Sequence, residues 1–367
     1  MKPYEPNKLP LENLDYKRLF AFVGEANSEL ARYDGLLQGI VNPSIMLSPL
    51  TNEEAVLSSK IEGTQATIDE VLEQEAGIIK EGEKYNDIQE IINYRKALQS
   101  AHKYLDDRPI TLAFVRELHK ILLNSVRGQD KTPGEFRKDQ NWIGPYGCTI
   151  EQATFVPPNP FQLLDYLEAW QKYLEINDID LLLQISIVHA QFELIHPFKD
   201  GNGRIGRILI PLFLYQKKKL SKPMFYLSSY LESNREEYYV RLQNISKEND
   251  WNGWIEFFLK AVTAQAISNN QKVKAIMNLY ESMKKQIHEL THSQYTIHLL
   301  DAIFDKPIFE TMDFVRRTGI HKPTAMGLLR SLKHENILKE LRPGSGRRAA
   351  ILSFPKLINI AEGRQVL

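Results

Sequence analysis

Between two apolar runs, the segment ELIHPFKDGNGRIGRILIPLF (residues 193–213) gathers one histidine, one aspartate, three glycines and two arginines into the twelve positions from His196 to Arg207. Asp200, Gly201, Asn202 and Gly203 continue a helix poorly, whereas RIGRILIPLFLYQ starts a new one with Ile205, Ile208, Leu209, Leu212 and Phe213 on its buried side. The loop therefore sits on a helix N-terminus. Glycines there let backbone N–H groups converge on an anion, and the helix dipole adds partial positive charge at the same spot. Arg204 and Arg207 share a face of the first turn, where that dipole disfavours cations, so the pair is costly unless a strong anion binds or a carboxylate is supplied. An ordinary turn explains the glycines, and a helix cap explains a lone histidine, but neither explains the arginines. The chemistry indicated is polyphosphate binding, with Asp200 placed to hold a Mg²⁺ that bridges phosphates and His196 beside them as a general base.

The elements that must position this loop are helical. YKRLFAFVGEANSELARYDGLL, DIQEIINYRKALQSAHKYL, LAFVRELHKILLNSV, FQLLDYLEAWQKYLEI and LLLQISIVHAQFELI each carry an apolar stripe at helical spacing. NWIGPYGCTIEQATFVPPNP departs from this: its β-formers are broken by Gly144, Pro145 and Gly147 and closed by Pro157 and Pro158, which reads as a hairpin or flap. A chain of 367 residues is long for one core. After a helix expected over about 251–290 the composition shifts: from Thr291 onward twelve Lys/Arg face seven Asp/Glu, although the whole chain balances at 46 of each. A boundary is placed near residue 290, giving an N-terminal helical region (1–110), a catalytic core (111–290) and a small C-terminal domain (291–367). The balanced charge gives no whole-chain field toward nucleic acid or membrane, so any polyanion site must be local. Cys148 is the only cysteine, which excludes an internal disulfide and a multi-cysteine metal site. With no basic segment leading into an apolar stretch at the start, and no apolar window long enough to cross a bilayer, a soluble cytoplasmic protein is expected, without a membrane partner.

HPFKDGNGRIGR resembles the Fic (filamentation induced by cAMP) motif, with every position met, and the likeness extends over about residues 10–260. The fold it implies is a mainly α, Fic-type helical bundle with a β-hairpin flap. The activity it implies is protein adenylyl transfer: AMP moves from ATP to a Ser, Thr or Tyr hydroxyl of a target protein and pyrophosphate leaves. By that resemblance His196 deprotonates the hydroxyl and Asp200 binds Mg²⁺. Gly201, Asn202 and Gly203 hold the α-phosphate region, Arg204 clamps the β-phosphate and Arg207 the γ-phosphate, with Ile205 and Gly206 between them in the nucleotide-binding run. Phe198 is buried and fixes the loop. The related Doc toxins, which transfer phosphate, carry a lysine in the place of Gly203, so Gly203 favours nucleotidyl transfer; phosphocholine transfer also occurs in the wider family. The flap at 143–156 is implied to lend a strand edge to the target protein. Ala153, Thr154 and Phe155 are implied near the nucleotide, and Tyr238, Tyr239 and Asn244 on its base or ribose.

SSKIEGTQAT adds a second motif. Ser59 and Glu62 have the spacing of a helix-capping box. Ser58, Glu62 and Gly63 also fit the inhibitory pattern [ST]-x-x-x-E-[GN] of class II Fic proteins, on a helix near 51–63. That resemblance implies Glu62 paired with Arg207, a latch that keeps the enzyme self-inhibited, or a carboxylate that supports removal of AMP from modified targets. Beyond residue 290, FETMDFVRRTGIHKPTAMGLLRSLKHENILKELRPGSGRRAAILSF resembles a winged helix-turn-helix, a small α+β domain with a turn at Gly319, a second helix near 323–334 and two strands around RPGSGRR. Arg316, Arg317, Lys322, Arg330, Arg342, Arg347 and Arg348 would there contact DNA phosphates. Winged helices also serve as dimerisation and docking modules, so homo-oligomerisation and self-modification join the partners considered. The second reading of the whole chain is a DNA-binding regulator whose Fic body senses nucleotide.

Overall fold

The computed structural model describes residues 2–40, 42–78, 82–105, 108–124, 131–145, 147–346 and 348–365; Arg347 of the basic set and Tyr146 of the flap lie outside them. In chain order the helices begin with α1 (Tyr16–Gln38), α2 (Pro43–Met46), α3 (Ser48–Ile61), α4 (Ile68–Glu75), α5 (Glu83–Leu105) and α6 (Leu112–Leu122). There follow α7 (Leu163–Glu175), α8 (Leu181–Ile195), α9 (Asn202–Gln216), α10 (Ser228–Ser233), α11 (Arg235–Glu248) and α12 (Trp251–Thr291). The remainder is α13 (Thr296–Asp305), β1 (Ile308–Glu310), α14 (Thr311–Thr318), α15 (Lys322–His334), β2 (Lys339–Arg342), β3 (Ile351–Ser353) and α16 (Pro355–Glu362). The fold is mainly α with one small sheet. No described helix is long and apolar enough to cross a membrane.

Two units form. The first comprises Met1–Gly35, Leu57–Thr64 and Gln89–Ile267. At its centre stand α8 and α9, which are buried on nearly every side and not only along the apolar stripe read from the sequence; Gln184, Ser186, His189 and Gln191 are covered along with the apolar residues of α8. Asp180 caps α8, its carboxylate accepting from the amides of Leu182 (2.8 Å) and Leu183 (3.2 Å). Two buried indoles fix the same helix from outside: Trp170 Nε1 donates to the Val188 carbonyl and Trp254 Nε1 to that of Ser186, both at 2.9 Å. Ile185, Ile187, Ile205, Ile208 and Phe213 are fully covered, and each such side chain contributes about 1.5–3 kcal/mol of transfer free energy.

The second unit comprises Leu36–Val56, Gln65–Ile88 and Ser268–Leu367. Its antiparallel sheet has the order β1-β3-β2, with Phe309 opposite Leu352 and Glu340 opposite Leu352 on the other side, and a bulge between Glu340 and Arg342. Gly319, at φ 66°, ends α14 where a side chain would be strained, and Pro323 stands in the first turn of α15. Strand β1 was not expected from the sequence; three residues are too few to show an alternation. Glu53 and Lys272 form an ion pair within this unit. Of the basic side chains proposed for DNA, Arg316 pairs with Asp313, Arg317 with Asp313 and Asp305, and Arg342 donates to the Gly77 carbonyl. Lys322, Arg330 and Arg348 are exposed.

Candidate active site

His196 closes α8 in the left-handed conformation (φ 49°, ψ 62°), its amide still bonded to the Phe192 carbonyl. That reversal turns the chain from the end of α8 into the loop that opens α9. Its Nδ1 lies 3.2 Å from the Glu193 carbonyl. A carbonyl can only accept, so Nδ1 carries the proton and Nε2 keeps its lone pair. Burial pushes the His196 pKa down to about 4, with Arg137 adding to the effect against the Glu193 carbonyl, Glu62 and Asp200. At neutral pH the side chain is thus a neutral imidazole with its basic nitrogen available.

Phe198 is fully buried and stacks face to face on His119, ring centroids 3.7 Å apart. His119 was missed by sequence reasoning: it looks like one more residue on the buried stripe of α6. Its Nδ1 accepts the Gly134 amide (2.8 Å) and its Nε2 donates to the Asp200 carbonyl (2.9 Å), which pins the loop from below. Gly201 sits at φ 77°, and an added Cβ would press on Leu122 Cδ2 at 3.3 Å. The Asn202 side chain has a bracing role as well. It accepts from the Phe198 amide (2.8 Å) and donates to the Phe198 carbonyl (2.9 Å), so its side chain braces the loop while its backbone N–H points out of the helix end. That N–H and those of Gly203 and Arg204 form the first turn of α9, which has no intrahelical acceptors.

Burial also lowers the pKa of His119 to about 4 and of His189 to about 3, where His189 Nε2 meets the Tyr238 hydroxyl at 3.0 Å. The unfolded chain takes up these protons near pH 6.5 while the folded one refuses them, so stability falls as pH drops through that window toward 4 and then 3. Each imidazole contributes on the order of 3–5 kcal/mol. We expect the urea midpoint to decline steeply below pH 6.5; a midpoint flat to pH 4 would show that these rings are not held neutral.

Both arginines at the α9 N-terminus are buried and each is supplied with a carboxylate. Arg207 donates from Nε to Ser58 Oγ (2.8 Å) and from one terminal nitrogen to the Ser58 carbonyl (2.9 Å) and Glu62 Oε1 (2.6 Å). Burial opposes charge on Glu62, but Arg207, helped by Arg204, holds its carboxyl below the usual range. Arg204 donates to Glu90 Oε2 at 2.9 Å and to Asp200 Oδ1 at 3.2 Å. Glu90, on α5, was not singled out in the sequence, since DIQEIINYRK shows it only as one acid among several. Removing one partner of such a buried pair costs about 3–5 kcal/mol. Because Asp200 remains on Arg204, Glu90→Ala is expected near the lower end, about 3 kcal/mol by chemical denaturation, with Glu90→Gln recovering part. A loss below about 0.5 kcal/mol would show the pair to be idle.

The latch segment ends a helix rather than starting one. Ser59 lies in the last turn of α3, so its spacing to Glu62 is not a capping box. Thr64 N donates to the Ser59 carbonyl (3.2 Å) and Gly63 N to that of Lys60 (3.0 Å), with Gly63 at φ 103°. These two bonds make a Schellman closure, which needs glycine or asparagine at the left-handed position and fixes Glu62 at the helix end. The Glu62 carboxylate then lies over Gly203, where even a methyl group would collide with Oε1. Ser58, Glu62, Gly203 and Arg207 are therefore brought together.

Other expected residues fall differently. Ile205 is fully buried, and a side chain at Gly206 would strike Glu193, so both face the interior. Burial raises the Glu193 carboxyl to about 8, with Arg207 pulling it down and Glu62 pushing it up. Tyr238 is interior as well, its ring among Trp254, Phe257 and His189, whereas its neighbour Tyr239 is 41% exposed and its hydroxyl reaches the Ile61 carbonyl at 3.4 Å. Both hydroxyls nevertheless lie close enough to Arg207 and Glu62 to feel their charges, and Asn244, five beyond Tyr239, lies on another face of α11. The flap closes on a single antiparallel bridge, Ile143↔Phe155, with a turn of 3-10 helix at Ile150–Gln152. Pro145 has no N–H for a longer ladder. Thr154 is exposed and bonds Ile143, Phe155 packs on Tyr4 at 5.7 Å, and Ala153 is buried. Trp142 and Ile143 are exposed. Asp200 engages Oδ1 with the Gly201 amide and Arg204, which leaves Oδ2 outside these bonds. One carboxylate oxygen beside a phosphate seat fits Mg²⁺, an ion usually held by one or two carboxylates together with substrate phosphates.

Residues 20–103 match the Fic/DOC family N-terminal model, and residues 109–214 match the Fic/DOC family model. The chain is 27% identical over 194 residues to a probable protein adenylyltransferase of Aquifex aeolicus (strain VF5), covering 52% of this chain and 56% of that protein. It is 28% identical over 214 residues to the protein adenylyltransferase Fic of Drosophila mojavensis, covering 56% of this chain and 37% of that one. The chain thus spans about half or less of the curated relatives it matches. In fold it is similar to the crystal structure of a Fic family protein from Desulfovibrio desulfuricans G20, with a TM-score of 0.59 at 20% identity over 96% of this chain and 98% of that one. With both family models matched in sequence and the helical architecture shared along nearly its whole length, the chain belongs to the Fic/DOC family.

Proposed function

We propose that this chain is an ATP-dependent protein adenylyltransferase held in a self-inhibited state. The observation that carries the reading is the α9 N-terminus: three unpaired-by-helix amides, Arg204 and Arg207 on the same turn, and the free Nε2 of His196 one loop away. Phosphate oxygens of ATP would take the amides of Asn202, Gly203 and Arg204, with the distal phosphates on the two guanidinium groups. His196 Nε2 accepts the proton of a target Ser, Thr or Tyr hydroxyl; that oxygen bonds to the α-phosphorus, the bond from the α-phosphorus to the bridging oxygen breaks, and pyrophosphate leaves. Asp200 would hold Mg²⁺, whose charge offsets that of the phosphates. The flap, exposed at Trp142 and Ile143, would receive the target backbone.

Self-inhibition rests on where Glu62 lies. Its carboxylate occupies the seat above Gly203 and the guanidinium of Arg207 at once, so it takes the place an anionic phosphate needs. The partly exposed carboxylate at that seat also favours a second activity, removal of AMP with Glu62 assisting water. A DNA-binding role has less support, since three of the seven basic side chains are engaged within their own unit. The test is incubation with ATP labelled at the α- or the γ-phosphate. Label from the α-position on protein, on a target or on the chain itself, is expected; transfer of γ-label instead would reject nucleotidyl transfer.

A further inference from the structure

We propose that Arg137 is a positioning residue that fixes the backbone of His196 and ties it to the base of the flap. Arg137 is almost fully buried, and among the described residues no carboxylate pairs with it. Its donors go instead to main-chain carbonyls: Nε to His196 at 2.9 Å, terminal nitrogens to Pro158 at 2.5 Å, Ile195 at 3.5 Å and Asp139 at 3.3 Å. Its own amide adds a bond to the Pro197 carbonyl at 2.9 Å. Three of these carbonyls, on Ile195, His196 and Pro197, are consecutive and follow the end of α8, where helix carbonyls lack intrahelical partners and the dipole is negative. The guanidinium therefore answers the Ile195 and His196 carbonyls, and the Arg137 amide that of Pro197, around His196, whose left-handed backbone a non-glycine residue adopts at a cost.

The same fork reaches Pro158, just beyond the flap residues Phe155 and Val156. Arg137 thus joins the strand proposed to present the target to the residue proposed to deprotonate it. A lysine cannot replace it: a single ammonium group has no planar fork with which to bridge carbonyls on two segments. Burial without a carboxylate lowers the Arg137 pKa to about 10, yet it remains charged at neutral pH and adds to the forces that keep His196 neutral.

The catalytic part of this inference rests on the adenylyl-transfer reading, but its structural part is tested without turnover. In the full chain, ¹³C-labelled histidine would be titrated by NMR, with His196 assigned among the nine histidines by its loss in His196→Ala. The groups facing the imidazole are Arg137, the Glu193 carbonyl, Glu62 and Asp200. In Arg137→Met the repulsion is gone and the His196 pKa is expected to rise by about one unit. In Arg137→Lys the charge persists but the fork does not, so the pKa is expected to move less while the chemical shift of the ring still changes. In a Glu62→Gly background both variants should lower kcat for α-label transfer by about 10²-fold, with nucleotide Kd unchanged, because Arg137 touches no phosphate seat. If Glu62→Gly transfers no label, the adenylyl reading fails while the titration still decides the positioning role. Either variant folded by circular dichroism, with His196 titrating and resonating as in the parent, would overturn the proposal. Should Arg137→Met fail to fold, the ring shift and kcat of Arg137→Lys decide it.

Discussion

Alanine at position 196 is expected to lower α-label transfer by about 10²–10⁴-fold in a Glu62→Gly background, the range general-base catalysis supplies, while leaving nucleotide affinity nearly unchanged. The reason lies in the tautomer. With Nδ1–H spent on the Glu193 carbonyl, Nε2 is the only nitrogen able to take a proton, and burial keeps it unprotonated through neutral pH. A base with a pKa of about 4 in the free protein is weak, but a bound triphosphate would favour the imidazolium and raise it toward the working pH. The acid limb of kcat/KM, which reports the free enzyme, should therefore lie below that of kcat. Calorimetry and labelling on the same preparation separate binding from chemistry. Retention of more than about a tenth of the transfer rate in His196→Ala would remove this residue from the base role.

The part of the site that a sequence can show is the part built from neighbours in the chain. The α9 N-terminus, its glycines and two misplaced cations were legible because helix starts and dipoles are local, and the cost of those cations already implied an anion or carboxylate. One such carboxylate, Glu62, was visible through its pattern with Ser58 and Gly63. Its counterpart was not: Glu90 reaches Arg204 across 114 residues and looks like a surface acid in its own helix. His119 and Arg137 were hidden for the same reason, since their partners are loop carbonyls and rings that carry no sequence code. Tyr238 and Tyr239 show a different limit. Adjacent aromatics on a helix are alike in sequence but not in burial, and which one turns inward depends on His189 and Trp254 from two other helices. The long helix from Trp251 and the one from Lys322 fell within a residue or two of their expected ends, because sustained periodicity and Pro323 mark them. The flap was recognised from its breakers, and the bridge Ile143↔Phe155 closes it close to the expected ends, where Pro145 withholds an amide from a longer ladder.

Glu62→Gly is expected to raise α-label transfer by about 10–10²-fold over the parent, the equivalent of losing a charge-assisted hydrogen bond of about 1.5–3 kcal/mol that competes with the nucleotide. The same substitution should weaken the free protein. Arg207 is almost wholly buried and would keep only the Ser58 hydroxyl and carbonyl, with Glu193 as the nearby titratable carboxyl. A buried cation stripped of its carboxylate costs about 3 kcal/mol or more. ATP supplies the missing anion, so the variant should lose thermal stability when free and regain more of it on adding nucleotide than the parent gains. Glu62→Gln separates charge from shape: its amide still fills the seat over Gly203, so transfer should rise less than in Glu62→Gly. If instead the glycine variant is as stable as the parent without nucleotide and no more active with it, Glu62 neither neutralises Arg207 nor blocks the phosphate seat, and the latch is not a latch.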